Sequence, residues 1–273
     1  MFENAVWICR LPGLLVLGVL ALTAGCATQP PIPRTLAHHL VVLELPPTVG
    51  DRSLRRVLHG KHEQVTPAVL AADRQRINAT LTTTLAQSLQ CVASPSRSLA
   101  IEIIASDDAP DATMMGHALD SATLRTLQAS HPADAYLRLK VTDYGETPRR
   151  WKGAYVAFEV VATLAIAAVL YVHKVTRAVA GAYIVEESVE EFSEGYAGFW
   201  VFNRLSRPVR IEADMLDGQT GELLGREAHV GLASWRWRHL WHMDNATRDG
   251  LLDTSMHKAL QPFAALCQRN SAP

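Results

Sequence analysis

"WKGAYVAFEVVATLAIAAVLYVHK", residues 151–174, is the stretch on which the fold turns. Between Ala154 and Val172 it holds nine residues of the Val/Leu/Ile/Phe class, six Ala, two Tyr, one Thr and a single acid, Glu159. Arg149, Arg150 and Lys152 precede it, and His173, Lys174 and Arg177 follow. Length and flanking charge therefore permit a membrane-crossing helix. The energetics are marginal, because each large apolar residue contributes about −0.3 to −0.6 kcal/mol and a central acid costs roughly 2.5–3.5 kcal/mol. The alanines supply another outcome. Small side chains at Ala157, Ala162, Ala165 and Ala168 lie near one stripe and let helices approach closely. Buried against protein, the segment would set Glu159 against Lys174, Arg177 or Tyr171, since an unpaired buried carboxylate is expensive.

The compartment decides between these outcomes, and residues 1–36 speak to it. Arg10 precedes an apolar run from Leu11 to Leu22, too short for a comfortable span and the right size for a secretory h-region. It ends in Leu22-Thr23-Ala24-Gly25-Cys26, which resembles the lipobox of bacterial lipoproteins, with Thr23 where Leu is more usual and Glu3 offsetting Arg10. The resemblance implies a signal peptide over residues 1–25, removed by processing, and lipidation at Cys26. Residues 26–36 read as a Pro-rich tether that lifts the folded part off the bilayer. Ala27 follows the cysteine where an aspartate would favour retention in the inner membrane. Placement at the periplasmic face of the outer membrane is therefore expected, with the inner membrane as the alternative. Three acyl chains would hold the protein firmly where one would not.

Twenty-six Lys and Arg balance 27 Asp and Glu. A near-neutral chain lacks the basic face that nucleic acid requires. Of four cysteines, Cys91 and Cys267 remain once Cys9 is removed and Cys26 acylated. In an oxidising compartment they form a candidate disulfide; two separate buried thiols are the alternative.

"HHLVVLEL" (38–45) is a short apolar run halted by Pro46-Pro47 and reads as a buried strand. Residues 48–65 read as a loop. From Pro67, Val69, Leu70, Ile77, Leu81, Leu85 and Leu89 recur at helical spacing, giving a long amphipathic helix. "SLAIEIIA" (98–105) is a second strand, "LDSATLRTLQAS" (119–130) a helix ending before Pro132, and "ADAYLRLKVTDYG" (133–145) a third strand. Residues 207–232 give two strands around Asp217-Gly218-Gln219-Thr220-Gly221, a hairpin signal. A closing helix from about Thr247 to Cys267 carries Leu251, Leu252, Met256, Leu260, Phe263 and Leu266. The expected class is α/β in the α+β sense: an open mixed sheet with helices packed on it. One domain comprises 37–152 and 206–270, and a long helical hairpin, 153–205, is inserted between strands.

This order, with the phrases "HPADAYLRLKV" (131–141) and "MLDGQTGELLG" (215–225), resembles the lipoproteins of the TolB amino-terminal-like fold, among them the curli secretion lipoprotein and the lipoprotein activators of penicillin-binding synthases. The likeness covers 38–145 and 207–268. It implies action by binding and assembly, and it carries over no catalytic residues.

The second arm of the insert places Val185, Val189, Phe192, Tyr196 and Phe199 on one helical face and Glu186, Glu187, Glu190, Glu191 and Glu194 on the other, an ordinary solvated amphipathic pattern. Among eleven histidines, His59 and His62 are three apart, as are His239 and His242, but neither pair lies in an HExxH arrangement, so no metal site is read. "SWRWRHLWHMD" (234–244) sets Trp235, Trp237 and Trp241 among arginines and histidines, which suits a membrane interface or partner contact, or tryptophans closing the core. No G-x-S-x-G motif occurs, and no Gly-rich loop opens a helix after a strand. No catalytic residue, cofactor or small-molecule substrate follows from these patterns.

The expected function is that of a non-enzymatic cell-envelope lipoprotein acting by assembly or partner binding, with a protein partner or copies of itself. Contact through Glu159, Ala162, Ala165, Trp235, Trp237 and Trp241 is the candidate surface. One alternative is an inner-membrane transport accessory using 154–172 as a membrane helix. A single crossing would then split the two halves of the sheet across the bilayer. The last alternative is an envelope hydrolase with the His/Trp segment at its site.

Overall fold

From Leu40 to Leu45 every residue of "HLVVLEL" is buried, whichever way its side chain points. A strand buried on both faces needs cover on both sides of its sheet, and this one lies inside the sheet with a neighbour on each edge. In this computed structural model, which describes residues 30–33, 39–59, 63–90, 100–104, 115–172, 195, 197–234 and 243–269, the strand is β1 (His39–Leu45). After it come α1 (Asp51–Leu58), α2 (Pro67–Gln90), β2 (Ala100–Ile104), α3 (Ser121–Ser130), β3 (Ala135–Tyr144), α4 (Arg149–Val172), β4 (Val209–Asp217), β5 (Leu223–Gly231) and α5 (Asn245–Arg269). Residues 197–206 are also helical.

The strands form one sheet in the order β2-β1-β3-β4-β5. β1 runs parallel to β2 and β3, whereas β4 runs antiparallel to both of its neighbours, β3 and β5. The fold is therefore α+β, an open mixed sheet with helices packed on it. On one face Leu40, Val42, Leu137, Leu139, Ile211 and Met215 meet Ile77 and Leu81 of α2 and Leu252, Met256 and Phe263 of α5. On the other, Val41, Leu43, Tyr136 and Leu216 meet Leu124 and Leu127 of α3. Asp120 starts α3 by accepting from the backbone N–H groups of Ala122 and Thr123, both at 2.9 Å. The hairpin turn is held the same way: Asp217 Oδ1 accepts from Gln219 N at 2.8 Å and Thr220 N at 2.7 Å, and Gly221 supplies a φ of 72°.

Four expectations change. Residues 48–65, expected as a loop, contain α1, whose Leu54, Val57 and Leu58 are buried. Their spacing is helical, but arginines fill the positions between them and hide the apolar count. Val69 is exposed, although the other described α2 positions expected inside, Leu70, Ile77, Leu81 and Leu85, are buried. The tether is not free along its whole length. Ile32 is buried in the main core and its N–H donates to Glu227 Oε1 at 3.2 Å, while Arg226 N–H donates to Pro30 O at 2.9 Å. Residues 197–205, expected within the insert, belong instead to the sheet-bearing unit, which runs over Pro30–Lys152 and Tyr196–Pro273; Gly153–Gly195 falls in the other unit. The reason is local, since Leu205 is buried and Ser206 O accepts from Ser255 Oγ of α5 at 3.1 Å.

Backbone approaches backbone where α5 crosses β5. A Cβ placed on Gly231 would lie 1.8 Å from Ser255 O and 2.5 Å from Ala259 N. Neither atom can rotate away. Gly231→Ala is expected to cost about 1–3 kcal/mol through overpacking, read as a lower urea midpoint; a midpoint unchanged from wild type would contradict this close crossing.

Candidate functional site

The insert leaves the sheet and returns to it at one point. β3 ends at Tyr144, which pairs with Val209, the first residue of β4. Gly145 N–H then donates to Pro208 O at 2.7 Å, and Asn203 Oδ1 accepts from the N–H of Thr147 at 2.5 Å and from its hydroxyl at 2.6 Å. Trp151 packs beside Phe202 with ring centroids 6.4 Å apart. Within the other unit, a Cβ on Gly195 would come within 2.6 Å of the Tyr155 ring, so glycine lets the returning chain approach α4. The pairing of β3 with β4 constrains how 154–172 can meet a membrane. A single crossing by 154–172 would put hydrogen-bonded neighbours on opposite sides of a bilayer.

α4 is 24 residues long, about 36 Å at 1.5 Å per residue. The stretch Arg149–Ala168 is apolar enough to cross a membrane by length and composition, with a mean hydropathy of 1.3, and only 11% of it is buried. Val156, Phe158, Val160, Leu164, Ile166 and Tyr171 are exposed, Phe158 at 68%. They do not form one stripe. At about 100° per residue, Val156, Val160 and Leu164 share a side and Phe158 lies nearly opposite. Glu159, Ala162, Ala165 and Ala168 are half-buried and Ala157 is exposed, whereas Thr163 and Ala167, one turn apart, are buried.

Beside the base of the insert the sheet-bearing unit has a cleft of about 280 Å³, lined by Arg56, Val57, Gly145, Glu146, Lys152, Phe199, Trp200, Asn203, Arg204 and Arg207. Four cations there face one carboxylate. Glu146 is engaged already, with Arg56 at 3.1 Å, Lys152 at 3.9 Å and the Ser53 hydroxyl at 2.5 Å. The Arg204 guanidinium carbon sits 5.6 Å from the centroid of the Trp200 ring, a cation–π contact. Burial, then the nearby Arg248 and Arg204, push the Arg207 pKa down to about 10, which leaves it charged at neutral pH. Its NH2 reaches the weak acceptor Met243 Sδ at 3.1 Å.

Sequence reasoning missed this cleft. Its residues come from α1, the loop after β3, the first turn of α4 and residues 199–207, and no local motif joins them. The only trace was the basic run that opens α4 and the arginines after Trp200.

Cys26, Cys91, Trp235, Trp237 and Trp241 lie outside the described residues, as do His62, His239, His242, Lys174, Arg177 and the acidic face 186–194. Cys267 falls on α5, but the proposed pairing with Cys91 lies outside the described residues too. His59 is held by Asp73 Oδ2 at 2.7 Å and Glu63 at 3.4 Å. Among the described residues no group of three or more His, Cys, Asp or Glu is arranged to hold a metal.

No protein-family model and no curated protein matches the chain. Solved structures similar to it include the PelC dodecamer from Paraburkholderia phytofirmans, at 10% identity over 86% of this chain and 94% of that one, with a TM-score of 0.34. Protein XCC0632 from Xanthomonas campestris, of the DUF330 family model, is 9% identical over 89% and 94% of the two chains, with a TM-score of 0.37. The hypothetical protein CT253 from Chlamydia trachomatis is 9% identical over 84% and 99%, with a TM-score of 0.31. At these scores and identities the likenesses carry no inference about what this chain does.

Proposed function

We propose that the protein is a non-enzymatic envelope lipoprotein, anchored through Cys26 at the periplasmic face of the outer membrane, that works by assembling with copies of itself through α4. One observation carries the reading: α4 exposes large apolar side chains on opposite sides. A helix that is apolar all round needs cover all round, which one flat partner surface does not give and a bundle of inserts does. Glu159 supports protein rather than lipid as the cover, because a carboxylate costs less where a neighbouring helix can satisfy it. The lipobox-like Leu22–Cys26 supports the anchor, which leaves α4 free for assembly.

Light scattering on the purified, processed chain tests the assembly. An oligomer is expected, and Val160→Glu with Leu164→Glu should reduce it to a monomer without loss of helix signal. A wild-type chain that stays monomeric at every concentration would sink the reading. Palmitate labelling that disappears in Cys26→Ala tests the anchor separately.

A second reading has one observation in its favour. Trp151 and Trp200, each 44% exposed, stand with Arg149 and Arg150 at the base of the insert, the residue types that mark a bilayer interface. A re-entrant insert would use them as a collar. In that case Cys26→Ala protein floats with vesicles and Val160→Glu abolishes the flotation.

A further inference from the structure

The geometry points to the cleft at the base of the insert as a binding site for a phosphate group, carried by a soluble phosphoester or by an anionic lipid headgroup. Charge is the first ground. Glu146 serves Arg56 and Lys152, while Arg204 and Arg207 have no carboxylate within ion-pair distance among the described residues. The Nε atoms of both are buried and lack an acceptor among the described residues. A buried N–H left without an acceptor is costly, and two guanidinium groups share one oxyanion more readily than any neutral ligand, through paired N–H···O bonds.

The backbone gives a second, independent ground. Arg207 holds a φ of 44° at the end of the helical residues 197–206, with its N–H on Asn203 O at 3.2 Å. Glycine usually fills such a position because it has no Cβ to clash. Here the chain keeps an arginine in the left-handed region, just before Pro208, and a strained residue of this kind is characteristic of binding sites. Asn203 adds to the donor set. Its oxygen is taken by Thr147, so what remains of the amide is N–H. At about 280 Å³ the cleft suits a phosphate with a small ester substituent rather than a whole lipid.

Arg207→Gly is the decisive variant because it separates binding from structure. Glycine favours the backbone angle, so folding should be kept or improved while the guanidinium is lost. The full chain in detergent is titrated with inorganic phosphate against chloride at matched ionic strength, followed by phosphorus NMR and by melting temperature. Wild type should bind, and Arg207→Gly and Arg204→Gln should each weaken binding at least tenfold. A second arm measures co-sedimentation of the Cys26→Ala chain with phosphatidylglycerol and phosphatidylcholine vesicles. Arginine-dependent preference for phosphatidylglycerol, with inorganic phosphate at least tenfold weaker, assigns the group to a lipid; equal binding of free phosphate assigns it to a soluble ester. The proposal fails if neither probe binds wild type beyond the chloride control, or if Arg207→Gly binds as wild type does. Val160→Glu should leave phosphate binding unchanged, so this outcome is independent of what covers α4.

Discussion

Arg138→Met is expected to cost about 3–5 kcal/mol of folding stability, the range for breaking one side of a buried ion pair. Arg138 on β3 and Asp214 on β4 face each other in register and are 1% and 0% exposed. The guanidinium donates to Asp214 Oδ2 at 3.0 Å and also to His117 O. Asp214 in turn accepts from Gly116 N–H and lies 3.5 Å from Arg226 Nε. Burial lowers the Arg138 pKa and Asp214 opposes that shift, so each charge is tolerable only with the other present. Methionine fills much of the volume but leaves the carboxylate with a more distant cation. Chemical denaturation of Arg138→Met, of Asp214→Leu and of the two combined checks the cause. The double variant should recover much of the loss, because two apolar groups can replace a buried pair at little cost. If the double variant is as unstable as the sum of the singles, the loss comes from packing rather than charge.

Stability should also fall as pH rises from about 4.5 to 7, and Glu44 is the group responsible for part of that fall. Glu44 lies on β1 beneath α2, fully buried, with the Thr82 hydroxyl donating to it. Burial raises its pKa to about 7, and the hydrogen bond from Thr82 offsets only part of the shift. Between those limits the folded chain binds a proton that the unfolded chain has released, so raising the pH favours unfolding. The contribution is complete below the unfolded value and gone above the folded one. Its size is up to about 3 kcal/mol at 1.36 kcal/mol per pH unit. Glu44→Gln keeps the shape and removes the proton. The difference between wild-type and variant stability should therefore be small at pH 4 and favour glutamine by that amount at pH 8. A difference that does not change with pH would mean Glu44 titrates normally.

Buried charge shows where reading the chain stops. β1, β2, β3, the Asp217 turn and α5 were legible because each carries a local signal: a short apolar run with Pro behind it, a strand-period run, a turn with Asp and Gly, a 3.6-residue repeat. α1 was not, because its three inward residues stand among arginines. Nothing local announces that Arg138 and Asp214 will meet, or that Glu44 will lie under a helix. Those outcomes depend on register between strands far apart in sequence.

The two candidate sites divide in the same way. That residues 151–174 are apolar enough for a membrane or a helix bundle follows from composition, since hydropathy is summed residue by residue. That they cannot cross a bilayer once and stay there follows from Tyr144 pairing with Val209, a long-range contact that composition does not contain. The cationic cleft is still further from the sequence. Arg56, Lys152, Arg204 and Arg207 become neighbours only when α1, the base of α4 and the returning helical segment pack together. Local propensity thus determined the strands, the longer helices and their order, whereas tertiary packing alone decided which charges share a low-dielectric space and therefore where a ligand can be held.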